Sequence, residues 1–318
     1  MSSRCSTASR EAGESMAGTA PAACSWIVLE HRGPWGARVL TDGALPDAVA
    51  SHLADATAHG VTVLLARRPD ARPHQAGTRA WIARSIPGGT LMREGDLDSL
   101  LDVLSWDIAG IGRGELPPFG SVSSDPVHFV CTNGTRDQCC AIEGRALLSE
   151  LLTDSRTPAT AASRLWESSH IGGHRFAPVM LTLPSGAVHG RLTLESAQEV
   201  LKRSLHGEIH LDHYRGRSGL AAPLQAVAIE ARRRFDFAGT DDIDVLRVIN
   251  GKAVPITPCL TIADDAVDAE VRHHDGRAWR AIVTHAAAQG SRPESCGKDP
   301  APIRAWVVTD LQPVPDWA

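Results

Sequence analysis

The sequence predicts an α/β protein in which two related β-α-β-β-α units precede a mixed or mainly β module. Apolar runs alternate with helical patterns from residue 25 to about residue 205. Two hairpin–helix segments, 86–104 and 183–201, align with each other without a gap. Beyond them the pattern changes to short strand-like runs broken by Gly, Pro and Asp. A tandem pair of α/β domains with a different C-terminal module is therefore expected.

Composition narrows the class of protein. The 318 residues are 43% hydrophobic and 22% charged, values typical of a soluble globular protein. The net charge of −5 argues against nucleic-acid binding as the main role. No apolar run approaches the roughly 18 to 20 residues that span a bilayer. Residues 1–24 are small and polar without a hydrophobic signal region, which predicts a disordered tail and a cytoplasmic protein.

The first predicted unit covers residues 25–111. "SWIVLEHRGPWGARVL" indicates a strand that runs into a Gly/Pro turn, and "LPDAVASHLADATAHG" has a helical pattern. "VTVLLARRP" predicts a strand, "RAWIARSIPGGTLMRE" a hairpin and "DLDSLLDVLSWDIAG" an amphipathic helix. The following residues, 112–126, are rich in Gly, Pro and Ser and predict a linker.

The second predicted unit covers residues 127–214 and repeats this order. It contains the strand "VHFVCTNG", the helix "AIEGRALLSELLTD", the strand "RLWESS", the hairpin "PVMLTLPSGAVHGRL" and the helix "LESAQEVLKRSLHG". Its hairpin and final helix share Pro, Gly, Leu, Ser, Val and Leu columns with the first unit, which suggests a duplication. Residues 215–318 predict an α+β module whose helix begins with Ser218 as N-cap.

The segment "CTNGTRDQCC" places three of the seven cysteines within ten residues, and "SHIGGH" follows thirty residues later. Cys131 is predicted to end a strand and Cys140 to open a helix, whose N-terminus favours a thiolate. The two glycines between His170 and His174 allow the backbone to turn sharply. Thiolates and imidazoles bind soft or borderline metal ions, so these four side chains are the candidate metal ligands.

Several kinds of site compete for these residues. Structural zinc sites usually have cysteines two to four positions apart, so the nine-residue separation of Cys131 and Cys140 makes zinc less expected without excluding it. A redox dithiol would need C-x-x-C, and Cys139 with Cys140 could close only a strained disulfide. The all-cysteine ferredoxin motifs are absent. A [2Fe–2S] cluster with mixed ligands remains.

"HFVCTNGTRDQCC" followed by "SHIGGHRFAPVMLTLPSG" resembles the sucrase/ferredoxin-like family, which is related to thioredoxin-like [2Fe–2S] ferredoxins. The resemblance implies a thioredoxin-like fold for the second unit, and for the first unit as a degenerate copy. It also implies a Cys2His2 cluster like that of Rieske proteins. Cys131 and Cys140 would bind one iron, and His170 and His174 the other. Cys139 lies outside this register and is expected to be a bystander.

The resemblance implies a one-electron redox protein. Proton-coupled transfer is expected, because each metal-bound imidazole keeps a second nitrogen that can carry a proton. An electron donor such as an NAD(P)H-dependent reductase and an unidentified acceptor would be its partners, with no nucleic acid or membrane involved. The alternative is a zinc-stabilised binding or scaffold protein that uses the same four ligands. Dispersed acidic residues do not predict the paired carboxylates of a glycosidase.

Overall fold

The strands of both predicted units form one ten-stranded sheet. The computed structural model describes residues 4–69, 78–254 and 262–314. In the first unit the elements are β1 (Ser25–Glu30), α2 (Asp47–His52), β2 (Val61–Arg67), β3 (Thr78–Arg84), β4 (Leu91–Leu97) and α3 (Ile108–Arg113), preceded in the chain by α1 (Cys5–Glu11). Short 3-10 turns at Ala56–His59 and Leu100–Ser105 complete it. The helix predicted over 96–110 is interrupted, because Trp106 has an extended backbone.

The second unit follows a short strand, β5 (Ser121–Val122). Its elements are β6 (Val127–Cys131), a π-helical turn (Cys140–Gly144), α4 (Arg145–Thr153), α5 (Ala159–Ala162), β7 (Leu165–Ser168), a 3-10 turn (His174–Phe176), β8 (Met180–Leu183), β9 (Ala187–His189), α6 (Leu194–Ser204) and β10 (Tyr214–Arg217). β5 pairs with β4, so the predicted linker 112–126 contributes to the sheet. β10 pairs with β9 and crosses the predicted boundary at residue 214.

The two units have the same strand order. In the first, β1 is parallel to β2 and antiparallel to β3, and β3 is antiparallel to β4. In the second, β6 is parallel to β7 and antiparallel to β8, and β8 is antiparallel to β9. The four main strands of each unit are therefore paired in the same order and with the same relative directions. Antiparallel pairing of β2 with β7 joins the units into the order β10-β9-β8-β6-β7-β2-β1-β3-β4-β5.

The segment expected to be disordered, residues 1–24, is ordered wherever the structure describes it. It contains α1 and ends in a stretch without regular secondary structure that leads into β1. Arg191 donates to the Ser9 hydroxyl at 2.8 Å, and buried Glu14 forms ion pairs with Arg175 and Arg292 at 2.9 and 2.7 Å. These partners lie far along the chain, so small polar residues gain order from contacts that local composition does not reveal.

The C-terminal module consists of α7 (Ala222–Phe235), β11 (Ile243–Ile249), β12 (Lys252–Val254), β13 (Ala266–His273), β14 (Ala278–Pro293) and β15 (Pro300–Pro313). Its antiparallel sheet has the order β12-β11-β13-β14-β15, with α7 packed against it through an apolar core. The helix begins at Ala222 with Ala221 as N-cap. Ser218 is not the cap, because its hydroxyl is buried and accepts a hydrogen bond from Trp26 Nε1 at 3.0 Å.

An apolar core shared by the two units surrounds the two predicted cysteine ligands. Cys131 and Cys140 belong to the same buried set as Phe129, Trp166 and Phe176.

Among the residues that the structure describes, no helix is both long and apolar enough to cross a membrane.

Candidate metal centre

Cys131 and Cys140 lie at the end of a strand and at the start of a helical segment, as predicted from the sequence. Cys131 is the last residue of β6, and its N–H donates to the Val179 carbonyl at 3.0 Å. Cys140 begins the π-helical turn that leads into α4, and such turns often occur at functional sites. Each cysteine is only 1% exposed, so both thiols face the protein interior.

His170 completes a compact group with these two cysteines. Its Nδ1 lies 3.8 Å from Cys131 Sγ and 4.0 Å from Cys140 Sγ. The three ligand atoms all lie within 4.8 Å of one another, close enough for a metal ion or a small cluster to be bound between them. His170 is only partly buried, so this side of the group is reached by solvent.

His174 stands next to His170, with their ring centroids 5.3 Å apart. It is not a member of the three-residue group. Its Nε2 lies 2.7 Å from the Glu294 carbonyl oxygen and 2.8 Å from Ser295 Oγ. Because a carbonyl oxygen only accepts, that hydrogen bond assigns the ring proton to Nε2 and the lone pair to Nδ1. Nδ1 is buried and has no hydrogen-bond partner in the described part of the chain.

Two glycines allow the ligand segments to approach closely. A Cβ on Gly144 would lie 2.2 Å from the Cys131 carbonyl oxygen, so the turn after Cys140 can pack on β6 only without a side chain there. Gly173 has a φ of 76°, and a Cβ there would meet the Arg215 guanidinium at 2.3 Å. The "IGG" between the histidines thus serves backbone conformation and packing.

The two thiols influence each other's ionisation. A hydrogen bond with Cys140 holds the pKa of Cys131 well below its usual value, and the same bond raises the pKa of Cys140. Burial lowers the pKa of His174, which favours the neutral imidazole that a metal requires. Of the two thiols, Cys131 therefore gives up its proton more readily, and a metal that binds both would displace the protons that remain.

Arg215 is a buried cation that sequence reasoning did not single out. It is 1% exposed, and it donates to Thr19 Oγ1 at 3.1 Å and to the Gly172 carbonyl at 2.9 Å. Burial lowers its pKa to about 9, while the charges of Cys131 and Cys140 favour its protonated form. Its positive charge beneath the histidine loop offsets negative charge on the thiolates. The only sequence signal is its place in "HYRGRSG", a short stretch that contains two arginines.

Cys139 faces away from this group, as the C-x8-C register implies. Its sulfur instead lies 3.6 Å from that of Cys5 and 3.4 Å from that of Cys296. Asp137, in the loop between Cys131 and Cys140, accepts backbone N–H bonds from Cys139 and Cys296 at 2.9 Å each. The loop between Cys131 and Cys140 therefore contributes to two groups of ligand-type side chains.

One known protein family matches most of the chain. The sequence matches the sucrase/ferredoxin-like family over residues 16–216. The chain belongs to this family. The matched region covers nearly all of the ten-stranded sheet and includes all four predicted ligands. No curated protein and no solved structure was found to match the chain.

Proposed function

We propose that this protein of the sucrase/ferredoxin-like family carries single electrons through a [2Fe–2S] cluster bound by Cys131, Cys140, His170 and His174. The observation that carries the proposal is the convergence of two thiols and one imidazole within 4.8 Å, beside a buried Nδ1 that has no hydrogen-bond partner among the described residues. When bound, such a cluster supplies reversible one-electron oxidation and reduction.

The residues present fit a group that takes two sulfur and two nitrogen ligands. By the family pattern, Cys131 and Cys140 hold one iron, and His170 and His174 the other. The Glu294 carbonyl orients His174 by accepting from Nε2, the kind of outer contact that fixes a metal-bound imidazole. Arg215 provides compensating positive charge, and the apolar residues around the cysteines exclude water from the sulfur side.

The strand order supports a thioredoxin-like assignment for both units. In each unit the second strand lies at one side of the first, the third lies at its other side and runs antiparallel to it, and the fourth pairs with the third. The first unit has no cysteine among its described residues from 25 to 111, so we assign it a structural role as a degenerate copy.

The proposal includes coupling of electron transfer to protonation. An imidazole that binds metal through Nδ1 keeps Nε2 for a proton. His170 is partly exposed, which gives its ring access to solvent protons. We further propose a cytoplasmic location, a reductase that uses NAD(P)H as the electron donor, and a separate acceptor, with neither nucleic acid nor membrane as a partner.

The second candidate is a zinc-stabilised binding or scaffold protein, favoured by the tetrahedral sets that thiolates and imidazoles form around zinc. Anaerobic purification followed by an optical spectrum and by iron, sulfide and zinc analysis separates the two. The proposal predicts a coloured protein with about two iron and two sulfide per chain. Cys131→Ala should remove the iron, the sulfide and the colour. A colourless protein that loses zinc on the same replacement would establish the zinc function instead.

A further inference from the structure

A second group of ligand-type side chains lies outside the candidate metal centre. The sulfurs of Cys5, Cys139 and Cys296 form a triangle with edges of 3.6, 3.4 and 3.6 Å. All three are free thiols, and these separations are far longer than the roughly 2.05 Å of a disulfide. We call Cys5, Cys139, Cys296 and Asp137 the three-cysteine group.

Asp137 contacts all three cysteines of this group. Its carboxylate oxygens are 3.7 and 3.8 Å from Cys5 Sγ. They accept the backbone N–H groups of Cys139 and Cys296, which fixes the carboxylate relative to two of the three sulfurs. Burial raises the pKa of Asp137, but those two N–H bonds outweigh it, so the pKa lies below its usual value.

The group is preorganised by further contacts. Cys5 and Cys139 are fully buried, and Asp137 is 5% exposed. The Cys5 N–H donates to Cys296 Sγ at 3.5 Å, and Ser6 Oγ donates to Cys139 Sγ at 3.3 Å. Thiolates that accept N–H and O–H bonds in this way are typical of metal-bound cysteines.

We propose that the three-cysteine group is a zinc site, with the three thiolates and the Asp137 carboxylate as its ligands. Sulfurs bound tetrahedrally at about 2.3 Å lie about 3.8 Å apart, so the observed triangle needs only a small expansion to accept the ion. Three sulfurs and one oxygen satisfy the four-coordinate geometry of a structural zinc. Binding would displace the remaining thiol protons.

The charges around the group suit an anionic zinc site. Three thiolates and one carboxylate carry four negative charges, two more than Zn²⁺ neutralises. The positive charge of Arg292 interacts favourably with the charge of Cys5. Arg292 is 5% exposed and is held by Glu14 through hydrogen bonds of 2.7 and 2.8 Å. Glu14 therefore holds the Arg292 guanidinium in a fixed position.

The proposed zinc site would join three distant parts of the chain. Cys5 belongs to α1, Asp137 and Cys139 to the loop between the iron ligands, and Cys296 to the connection between β14 and β15. The Asp137 carboxylate also lies 3.7 Å from Nε2 of His174. Zinc would thus fix the ligand loop while remaining separate from the cluster, since Cys139 and Cys140 serve different sites.

Metal analysis of the full-length protein and its variants tests this assignment. Protein produced with added Zn²⁺ should contain about one zinc per chain besides the iron. Cys5→Ser and Cys296→Ser should lose the zinc and retain the iron and the visible spectrum. Cys131→Ser should lose the iron and retain the zinc. Cys296→His, which restores a zinc ligand at a half-buried position, should recover zinc binding.

Three results would overturn the zinc site. The first is a zinc content that is unchanged in Cys5→Ser and Cys296→Ser, and the second is wild-type protein that binds no zinc when Zn²⁺ is supplied. The third uses Co²⁺ bound to the Cys131→Ser variant, which lacks the cluster colour and therefore shows the thiolate-to-cobalt absorption. If this absorption persists when Cys5→Ser is added, the ion lies elsewhere. Circular dichroism checks that each variant is folded. Zinc that instead follows Cys131 and Cys140 would contradict both this inference and the iron proposal.

Discussion

Nε2 of His174 lies 2.7 Å from the carbonyl oxygen of Glu294, a residue 120 positions further along the chain. Glu294 belongs to the C-terminal module and lies beyond the region that matches the family. The module therefore orients a candidate ligand of the second unit, which gives it a structural role at the candidate metal centre.

The ligand assignment predicts distinct outcomes for two adjacent cysteines. Cys140→Ala should abolish the visible absorption and the bound iron, because it removes a cluster ligand. Cys139→Ala should retain both, since its sulfur faces Cys5 and Cys296. Absorption spectra and iron content of the two purified variants provide the measurement. Loss of colour in Cys139→Ala with retention in Cys140→Ala would show that the register is wrong.

Gly144→Ala should destabilise the protein and reduce cluster content. Alanine normally favours a helix over glycine by up to about 1 kcal/mol. Here its Cβ would lie 2.2 Å from the Cys131 carbonyl oxygen, so the backbone of a ligand must move, at a cost of about 1 to 3 kcal/mol. Arg145→Ala at the next, exposed position is the matched control. Equal thermal stability and equal iron content in the two variants would contradict the packing argument.

The ionisation of Glu14 should make the stability of the fold depend on pH. Burial raises its pKa, but hydrogen bonds and charge from Arg292 and Arg175 outweigh this and lower it. Its contribution is therefore present above the unfolded value of about 4.3 and is lost as pH falls through the folded-state pKa. Glu14→Gln should cost about 3 kcal/mol near pH 7, because it breaks buried ion pairs.

Urea unfolding of wild type, Glu14→Gln and the exposed control Glu11→Gln at several pH values measures this effect. The difference between wild type and Glu14→Gln should be constant above about pH 5 and should shrink below it. A difference that does not change down to about pH 2, or an equal loss in Glu11→Gln, would show that the ion pairs do not stabilise the fold.

Proton coupling predicts a pH-dependent reduction potential. Uptake of one proton with each electron lowers the potential by about 59 mV per pH unit as pH rises. Redox titrations across roughly pH 5 to 10 cover the range in which imidazoles titrate. The slope should disappear when both histidines are replaced in a His170→Cys, His174→Cys variant that retains a cluster. A flat potential in the wild type, or a slope that persists in this variant, would rule out coupling through the histidines.

Local sequence patterns predicted most strands of the two units, because these strands are short apolar runs between turn residues. The shared strand order of the units followed from the alignment of 86–104 with 183–201. The continuous sheet did not, since pairing of Ala66 with Ser168 in β2 and β7 leaves no local signal. Charge pairing of Arg67 with Glu167 at 2.8 Å strengthens that junction.

The candidate centre was predictable where ligands are close in sequence. Cys131 and Cys140 flank one loop, and His170 and His174 flank two glycines. The three-cysteine group was not predictable, because Cys5 and Cys296 are 291 positions apart and each is an isolated cysteine in the sequence. Ordering of α1 depends on the same kind of distant contact.

Pulsed electron paramagnetic resonance of the reduced protein, labelled with ¹⁵N-histidine, tests the central claim most directly. The account predicts a paramagnetic [2Fe–2S] signal with hyperfine coupling to two histidine nitrogens, one of which is lost in a cluster-retaining His174→Cys variant. A cluster signal without histidine nitrogen coupling, or a protein that shows no iron signal after anaerobic preparation, would contradict it.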